Sequence, residues 1–390
     1  MSSATPPCTP AENEYGVLHS RNIKHVEFGQ FTIDTWYGNG AYFASARNGQ
    51  LGTETTSVPR KKDGLPSVSG FWLDTLYVCD FCFKYTSDKS KLSLHMSSCP
   101  LNQEFPPIGT LVYADVKGKR LIKKVRGFRH ELFCQNLSLF GKLFLDDKSV
   151  YYNVESYDFY IVYGASKMHA AENKLDDRTV YRPMGFFSKE ITAWEPDNNL
   201  ACICIFPPYQ RLHLGSLLIE FLYAAAEAAG QQPLGPEFPL SPYGKQLYLR
   251  YWGKRIAFEL FNSFENCDLI TLGDLAVLTG FRREDLFFAL EHMGVLYTAD
   301  TSGSPPAEAV GEQNPTDEPE KVASRSKGKF FYLPFSRLQR LDNRALRSKS
   351  LTTPEFTYRI LLRALMDWCE KNKVSTEILS TMLDPSCLLV

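Results

Sequence analysis

The hydrophobic and polar positions of the chain alternate in its first ordered stretch and again in its middle. Residues 25–38 (HVEFGQFTIDTWYG) alternate apolar with polar side chains, which predicts strands. Several aromatic and β-branched runs between residues 110 and 165 predict an antiparallel-rich sheet, interrupted by one helix near CQNLSLFGKLFL. We therefore expect the main domain to begin close to residue 110.

The segment 185–230 has the pattern of a strand, a loop and a helix. GFFSKEI and LACICIF read as strands, PPYQRLHLG as a loop, and SLLIEFLYAAAEAAG as an amphipathic helix. Backbone N–H groups of such a loop, followed by a helix N-terminus, form a natural cradle for a diphosphate. Mere packing of the helix on the sheet explains this pattern equally well, so the pattern only marks the junction as a candidate active site.

Two helical periods split by Thr-Gly-Phe occupy residues 269–295 and predict a helix-turn-helix or winged-helix unit. Its second helix has Glu284, Asp285 and Glu291, which favours a packing role over contact with DNA. A further helix is expected after Pro354, where TYRILLRALMDWCEKN places apolar side chains at helical spacing.

These patterns predict an α+β chain of several regions. Residues 1–18 and 299–328 are polar or of low complexity and are expected to be disordered. The remaining regions are predicted to be an N-terminal region at 19–110 with a metal-binding finger at 77–100, a core at 111–262, the helix-turn-helix-like region at 263–298 and a C-terminal helical segment at 329–390.

Composition and charge narrow the class of protein. The 43 basic and 44 acidic side chains give a net charge of −1, so any contact with DNA must be local. The N-terminus lacks the pattern of a secretory signal, and no run is long and apolar enough to span a bilayer, so a soluble intracellular protein without a membrane partner is expected. Ten cysteines, mostly scattered, suit a reducing compartment.

One cysteine cluster has the spacing of a zinc site. Cys79-x2-Cys82-x12-His95-x3-Cys99 places two ligands on a tight turn and two on one face of a helix. Four deprotonatable ligands of this kind suit tetrahedral zinc, whereas four unliganded buried thiols and imidazoles at this spacing are the less favoured explanation. With two lysines and no arginine in SDKSKLSLHM, a structural finger is preferred over one that reads DNA.

Several longer blocks, in this order along the chain, resemble the MYST family of lysine acetyltransferases. They are FGQFTIDTWYG, the zinc cluster, LFCQNLSLFGKLFLDDKSVYYNV, MGFFSKE, NNLACICIFPPYQR and GPEFPLSPYG, within residues 19–298. LHSRNIKHVEFG, DTWYGNGAYF and PEFPLSPYG are most similar to the fungal SAS-type ("something about silencing") subgroup. The resemblance implies a GNAT-like core that uses acetyl-CoA to acetylate a histone-tail lysine, chiefly of histone four, in the nucleus.

The same resemblance implies partners and a role. SAS-type enzymes act on nucleosomes together with two non-catalytic subunits and regulate silencing and transcription, so both are expected here.

The cofactor loop of the family reads Gln-Arg-x-Gly-x-Gly. Gln210, Arg211 and Gly215 match it, whereas His213 replaces the first glycine. A glycine there allows a positive φ or a close approach of phosphate, so we expect His213 to weaken cofactor binding without abolishing it. The cofactor-binding residues implied by the resemblance are Cys202, Ile203, Ile205, Gln210, Arg211, Leu212, His213, Leu214, Gly215, Ser216 and Ser241.

Two residues match catalytic residues of the family. Glu237 matches the general base that deprotonates the acceptor lysine, and its apolar neighbours are expected to raise its pKa toward neutrality. Cys202 matches a cysteine proposed either to carry the acetyl group or to line the site. Because a strand cysteine is more often a core residue than a nucleophile, direct attack in a ternary complex is preferred over an acetyl-cysteine intermediate.

Three further roles follow from the resemblance. The backbone amides of Ile203 or Ile205 would stabilise the oxyanion, and Ser241 would protonate the leaving thiol. Lys142 matches a lysine that family members autoacetylate, although a plain helix lysine paired with Asp146 fits the sequence too. Pro242 stands where the family commonly has an acidic residue, so no role is assigned to that carboxylate.

Two other functions use the same residues. A chromatin or DNA-binding adaptor would use the zinc finger and the helix-turn-helix beside a catalytically weak core, and His213 is the best argument for it. It is opposed by the presence of Cys202, Gln210, Arg211, Glu237 and Ser241. An acyltransferase acting on non-histone lysines needs the same chemistry, because sequence separates chemistry better than substrate.

Overall fold

The computed structural model describes residues 17–18, 20–43, 51, 71–145, 153–167, 179–191, 198–264, 270–298, 330–335 and 356–389. Residues 1–16 of the predicted N-terminal tail and the whole predicted linker 299–328 lie outside the described residues. The chain forms two compact units, Met1–Ala225 with Pro236–Ser241 and Met382–Val390, and Ala226–Gly235 with Pro242–Thr381.

The first unit opens with two small sheets. Their strands are β1 (Val17–Leu18), β2 (Ile23–Phe28), β3 (Phe31–Asp34), β4 (Gly38–Asn39), β5 (Leu73–Val78) and β6 (Tyr85–Thr86). Strands β3, β2, β5 and β6 lie side by side in that order, with β2 and β5 parallel. Strand β1 pairs with β4, which corrects the prediction that residues up to 18 lack structure. A two-residue strand has no detectable period, and only its partner across the sheet orders it.

The predicted metal-binding finger contains helix α1 (Lys89–Ser98), which begins where its sequence provides a cap. The side chain of Asp88 accepts hydrogen bonds from the backbone N–H groups of Ser90 and Lys91. An Asp at this position satisfies amide groups that have no partner inside the helix.

A five-stranded antiparallel sheet forms the centre of the first unit. Its elements follow in the order β7 (Thr110–Asp115), β8 (Arg120–Arg126), α2 (Glu131–Lys142), β9 (Tyr157–Lys167), β10 (Thr179–Glu190), β11 (Asn198–Leu200), β12 (Cys202–Ile205), α3 (Leu214–Ala228) and β13 (Gly235–Pro236). The strand order is β12-β10-β9-β8-β7, and β11 pairs separately with β13. The helix predicted near CQNLSLFGKLFL is α2, and the predicted strand–loop–helix is β12 followed by α3.

The register of this sheet decides which side chains share a face. Phe159 lies opposite Ser188, and Ser188 lies opposite Cys202, so these side chains are on the α2 side. On the other face Tyr160 stacks on Phe187 at 4.5 Å between ring centroids, and both rings contact Phe221 of α3. Strand β12 is therefore an edge strand whose two faces are covered by different helices.

A buried ion pair joins the predicted finger to the sheet. Asp80, between Cys79 and Cys82, accepts a hydrogen bond from Arg182 Nε of β10 at 2.8 Å, and both side chains are nearly buried. The guanidinium of Arg182 also lies over the Phe81 ring, 3.9 Å from its centroid. Removing one partner of such a pair leaves an uncompensated buried charge.

Replacing Arg182 with Met should therefore lower the free energy of unfolding by about 3–5 kcal/mol, measured by urea denaturation. The matched control is Lys24→Met, which breaks the exposed pair between Lys24 and Asp74 and should change stability by less than about 0.5 kcal/mol. Equal effects of the two substitutions would contradict the importance assigned to the Asp80–Arg182 pair.

The end of the chain returns to the first unit. The buried carboxylate of Glu220 on α3 accepts hydrogen bonds from the backbone N–H groups of Met382 and Leu383, at 2.6 and 2.8 Å. Beyond them Leu389 donates its backbone N–H to Val112 of β7. The final residues thus extend along the outer edge of the sheet, which no local pattern in the sequence indicated.

The second unit contains the remaining helices and a small sheet. Its elements are α4 (Pro242–Asn262), α5 (Leu272–Thr279), α6 (Arg283–Met293), β14 (Leu296–Thr298), β15 (Phe330–Phe335), β16 (Phe356–Leu361) and α7 (Leu362–Asn372). Helix α5 begins at a capping box between Thr271 and Asp274, and Gly280, with φ of 73°, ends it. The two helices predicted within residues 269–295 are thus present.

The predicted C-terminal helical segment is only partly helical. Residues from Phe356 to Leu361 form β16, which lies between β14 and β15 in an antiparallel sheet, and the helix begins at Leu362 instead of just after Pro354. The run FTYRIL suits either structure, and pairing with strands distant in sequence decides for the strand. Among the described residues no helix has the length and apolarity that crossing a membrane requires.

Candidate active site and metal site

The structure brings all four predicted metal ligands together. The ligand atoms of Cys79, Cys82, His95 and Cys99 lie within 4.8 Å of one another, and Cys82 Sγ is 3.2 Å from His95 Nε2. Burial, followed by the charge of Lys84, lowers the pKa of His95, which favours the neutral imidazole that binds metal. Three thiols and one imidazole at these separations fit a tetrahedral zinc ion.

Cys202 lies at the start of edge strand β12, on the face toward α2. It is 6% exposed and borders a small pocket. The other residues lining that pocket are Ser138, Lys142, Leu145, Phe159, Phe186 and Ser188. Cys204, two residues further along β12, is buried in the core, and burial raises the pKa of its thiol. Of the two cysteines of β12, only Cys202 is thus placed beside a space.

The same pocket contains two polar side chains that the sequence did not single out. The hydroxyls of Ser138 and Ser188 are buried, and neither finds a hydrogen-bond partner among the described residues. Lys142, predicted to be autoacetylated, is 5% exposed at the end of α2, while Asp146, its alternative partner, lies outside the described residues. Acetylation of Lys142 therefore stays a prediction.

The predicted cofactor loop joins β12 to α3 and is open to solvent from Gln210 to His213. Gln210 Nε2 donates a hydrogen bond to the backbone oxygen of Ile205, which ties the loop to the end of the strand. Helix α3 begins at Leu214, and Leu217 donates its backbone N–H to His213. The amides of Leu214, Gly215 and Ser216 belong to the first turn of the helix, where amide groups lack helical partners.

The loop owes its shape to two left-handed residues. Arg211 has a φ of 64° and His213 a φ of 58°, whereas Leu212 between them does not lie in that region. His213 therefore adopts the backbone for which a glycine is the usual residue, at a cost of about 1–2 kcal/mol for a side chain with a Cβ. The histidine thus adopts a glycine-type backbone, and its effect on cofactor binding stays a prediction.

Replacing His213 with Gly should relieve that strain and raise the free energy of unfolding by about 0.5–1 kcal/mol, after subtraction of the entropy a glycine adds to the unfolded chain. Urea denaturation measures this, and titration calorimetry with acetyl-CoA measures whether the loop then binds a diphosphate more tightly. Leu212→Gly is the control, and it should lower stability because no strain is removed. A His213→Gly variant as unstable as the control would exclude strain at His213.

The predicted base lies on the segment that follows β13. Glu237 donates its backbone N–H to the carbonyl oxygen of Leu200, the last residue of β11, so the Glu237 backbone is bonded two residues before Cys202. The expected apolar enclosure of Glu237 is wrong, because Glu237 is exposed and its neighbour Phe238 is 47% exposed. Ser241 is exposed at the end of the same segment, just before α4.

Tyr157 is a residue of this region that sequence reasoning missed. It opens β9 opposite Glu190, and the period of two places it on the face shared with Phe159 and Ser188. Burial raises the pKa of Tyr157 to about 12, and nearby Glu190, Glu237 and Cys202 add to the effect. The alternation in YDFYIVYG could have shown its face, but only the register showed its neighbours.

Comparison with known proteins places the chain in a family. Residues 106–322, more than half of the chain, match the MOZ/SAS family. Over 292 residues the chain is 41% identical to the histone acetyltransferase SAS2 of Saccharomyces cerevisiae, covering 74% of this chain and 79% of that protein. It is 31% identical over 284 residues to the histone acetyltransferase Tip60 homolog of Caenorhabditis elegans, covering 72% of this chain and 52% of the relative.

A longer relative matches a similar share of the chain. It is 30% identical to the histone acetyltransferase MOF of Drosophila melanogaster, covering 75% of this chain but only 30% of that protein. The resemblance drawn from FGQFTIDTWYG, MGFFSKE and the other blocks is thereby confirmed. With a match over more than half of its length and these relatives, the chain belongs to the MOZ/SAS family.

Proposed function

We propose that this protein is a histone lysine acetyltransferase that transfers an acetyl group from acetyl-CoA to a lysine of a histone tail. One observation carries the proposal: three predicted parts of the site lie close to edge strand β12. They are Cys202, the Glu237 segment and the loop from Gln210 to Ser216. A base and a diphosphate cradle at one strand edge are what acetyl transfer from a coenzyme A thioester requires. Its relatives are named histone acetyltransferases, which supports the substrate class.

The loop and the start of α3 would hold the cofactor. The amides of Leu214, Gly215 and Ser216 point from a helix N-terminus, where the helix dipole favours a diphosphate. Gln210, Arg211, Leu212 and His213 would complete the loop, and left-handed residues such as Arg211 and His213 are a feature of anion-binding nests. Acetyl-CoA supplies the activated acetyl group.

The edge of β12 would stabilise the negative charge that develops on the thioester oxygen. Phe206 donates its backbone N–H to Met184 of β10, so by the alternation of antiparallel pairing the amides of Ile203 and Ile205 face the open edge. Either amide would donate to the oxyanion. Ser241, exposed beside Glu237, would donate a proton to the leaving thiolate.

Glu237 would act as the general base. A lysine ε-ammonium must lose a proton before it attacks, because its usual pKa lies well above neutrality. The exposed position of Glu237 lets it return that proton to water. Direct attack of the amine is favoured over an acetyl-Cys202 intermediate, since Cys202 is nearly buried and a surface lysine needs no second acyl carrier.

The remaining parts of the proposal concern context. Zinc bound by the Cys79 cluster would fix the finger on the sheet, and α5, α6 and the β14–β16 sheet would form a winged-helix-type unit with a packing role. A histone-four tail, nucleosomes, two non-catalytic subunits, a nuclear location and a part in silencing follow from the resemblance to SAS-type enzymes. The adaptor alternative is less favoured, because His213 adopts a left-handed backbone of the kind that a glycine readily takes.

The test is an acetylation assay. The purified protein, alone and with its candidate partners, is incubated with labelled acetyl-CoA and nucleosomes, and the acetylated lysines are identified by mass spectrometry. We expect label on a histone-tail lysine. Label confined to other proteins would favour the non-histone alternative, and no lysine acetylation under any condition would favour the adaptor.

A further inference from the structure

Tyr157 begins strand β9 at the end of the row of side chains that leads to Cys202. Tyr157 is paired with Glu190, and Phe159 with Ser188, which is in turn paired with Cys202. Directly opposed residues of antiparallel strands point to the same face, so Tyr157, Glu190 and Cys202 share one face of the sheet. The Glu237 segment is tied to this region through the bond between Glu237 N and Leu200 O.

The surroundings of Tyr157 are acidic. Two carboxylates, Glu190 and Glu237, and the thiol of Cys202 act on its hydroxyl, and burial raises the pKa of Tyr157 to about 12. The hydroxyl therefore keeps its proton at neutral pH. The charged groups facing this part of the sheet from other elements include Lys142 at the end of α2, beside Phe159 and Ser188.

A protonated phenol among carboxylates has one proton to donate and lone pairs to accept with. The donor suits a carboxylate, whereas the acceptor suits the N–H of an incoming ammonium or amine. A half-buried phenol also provides an apolar ring along which the methylene groups of a lysine can lie. A coenzyme A thiolate or a diphosphate could use only the hydroxyl proton of this combination, whereas a lysine side chain can use the acceptor and the apolar ring.

We propose that Tyr157 is a substrate-positioning residue of the site, whose hydroxyl accepts a hydrogen bond from the ε-nitrogen of the acceptor lysine and directs it toward Glu237. This inference rests on the proposed acetyltransferase function. In the step it serves, the ε-ammonium gives one proton to Glu237, and the amine nitrogen forms a bond to the thioester carbonyl carbon. The carbon–sulfur bond then breaks, the nitrogen loses its second proton to leave a neutral amide, and the coenzyme A thiolate takes up one proton by way of Ser241. Tyr157 exchanges no proton in this sequence.

The test compares Tyr157→Phe with Tyr160→Phe, which removes the same hydroxyl from the same strand but on the opposite face. The unsubstituted protein and both variants, with partner subunits present, are titrated calorimetrically with a histone-tail peptide in the presence of coenzyme A. Steady-state kinetics with acetyl-CoA follow. We expect Tyr157→Phe to raise the peptide Kd and KM about three- to tenfold, the effect of one lost hydrogen bond, and to leave acetyl-CoA binding unchanged.

The outcomes separate the two proposals. A peptide Kd equal in the unsubstituted protein and Tyr157→Phe, or an equal rise in Tyr160→Phe, would overturn the role of Tyr157 alone. Equal weakening of peptide and acetyl-CoA binding together with a lower Tm would show a structural role and would overturn it as well. If the unsubstituted protein with its partners neither binds nor acetylates any lysine peptide, the acetyltransferase function falls, and the positioning role falls with it.

Discussion

Replacing Glu237 with Gln is expected to lower kcat/KM for lysine acetylation by a factor of about 10²–10⁴, the usual contribution of a general base. Glutamine keeps the shape of the side chain but cannot take a proton from the ε-ammonium. Glu237 is exposed and keeps its backbone bond to Leu200, so Tm and acetyl-CoA affinity should be unchanged. The rate of histone-peptide acetylation, the thermal transition and a calorimetric titration together measure this.

The pH dependence of the Glu237→Gln variant is an independent test of whether Glu237 is the general base. A lysine amine has an ordinary pKa of about 10.4, so each step up in pH supplies more neutral nucleophile without a base. The Glu237→Gln variant should therefore recover activity as the pH rises toward that value, whereas the unsubstituted protein should change less. Glu227→Gln, which alters another exposed carboxylate near the end of α3, is the control and should keep full activity. Full activity of Glu237→Gln at neutral pH would exclude Glu237 as the base.

Removing the zinc predicted for the Cys79 cluster is expected to unfold the finger. It should also destabilise the predicted cofactor loop and lower its affinity for acetyl-CoA. Of the five buried residues that form the small core here, Cys79 and Cys99 are ligands, and Phe81, Leu92 and Val180 remain. So small a core cannot replace the binding free energy of about 10–16 kcal/mol typical of structural zinc. The loss should therefore lower the stability of the first unit by several kcal/mol.

Three side chains connect the predicted metal site to the predicted cofactor loop. Asp80 lies between two ligands and pairs with Arg182 of the sheet. Burial raises the pKa of Tyr209, in the cofactor loop, to about 12, and Asp80 adds to the rise, so Tyr209 is close to that pair. Tyr209 also meets Phe31 of β3 edge to face, 5.6 Å between centroids. Loss of the metal should thus change the conformation of the loop that contains Tyr209.

Cys79→Ser and prolonged chelation are the two ways to test this. We expect the zinc content, measured by plasma mass spectrometry, to fall from about one ion per chain to none, with a lower Tm and weaker acetyl-CoA binding. Cys387→Ser removes a thiol outside the cluster and should retain the metal, the Tm and the affinity. A zinc-free protein with an unchanged Tm would contradict a structural role for the site.

Local patterns were sufficient for features whose parts lie close together in the chain. The spacing from Cys79 to Cys99 predicted the metal ligands because a turn and one helix position all four. The order of β12, loop and α3 was predicted because a short apolar run of strand length is followed by a loop and then by a helical period. In the same way the Thr-Gly-Phe run marked the end of α5 at Gly280.

Features made by distant residues were not predictable in this way. The prediction for the residues after Pro354 was wrong at Phe356–Leu361, because a strand there depends on β14 and β15, which are remote in sequence. The enclosure expected around Glu237 was wrong for a related reason, since neighbours in sequence such as Phe238 need not be neighbours in space. Val17–Leu18 and the docking of Met382 on Glu220 likewise depend on partners far along the chain.

By itself, the sequence of this protein determined the metal ligands, the candidate base and the strand–loop–helix that would hold the cofactor. Only the tertiary structure decided that His213 takes a left-handed backbone, that Glu237 is exposed and that Tyr157 lies beside Glu190 on the face of Cys202. The physical reason is that helix caps and ligand spacing are local, whereas register and burial are set by pairing between segments far apart in the chain.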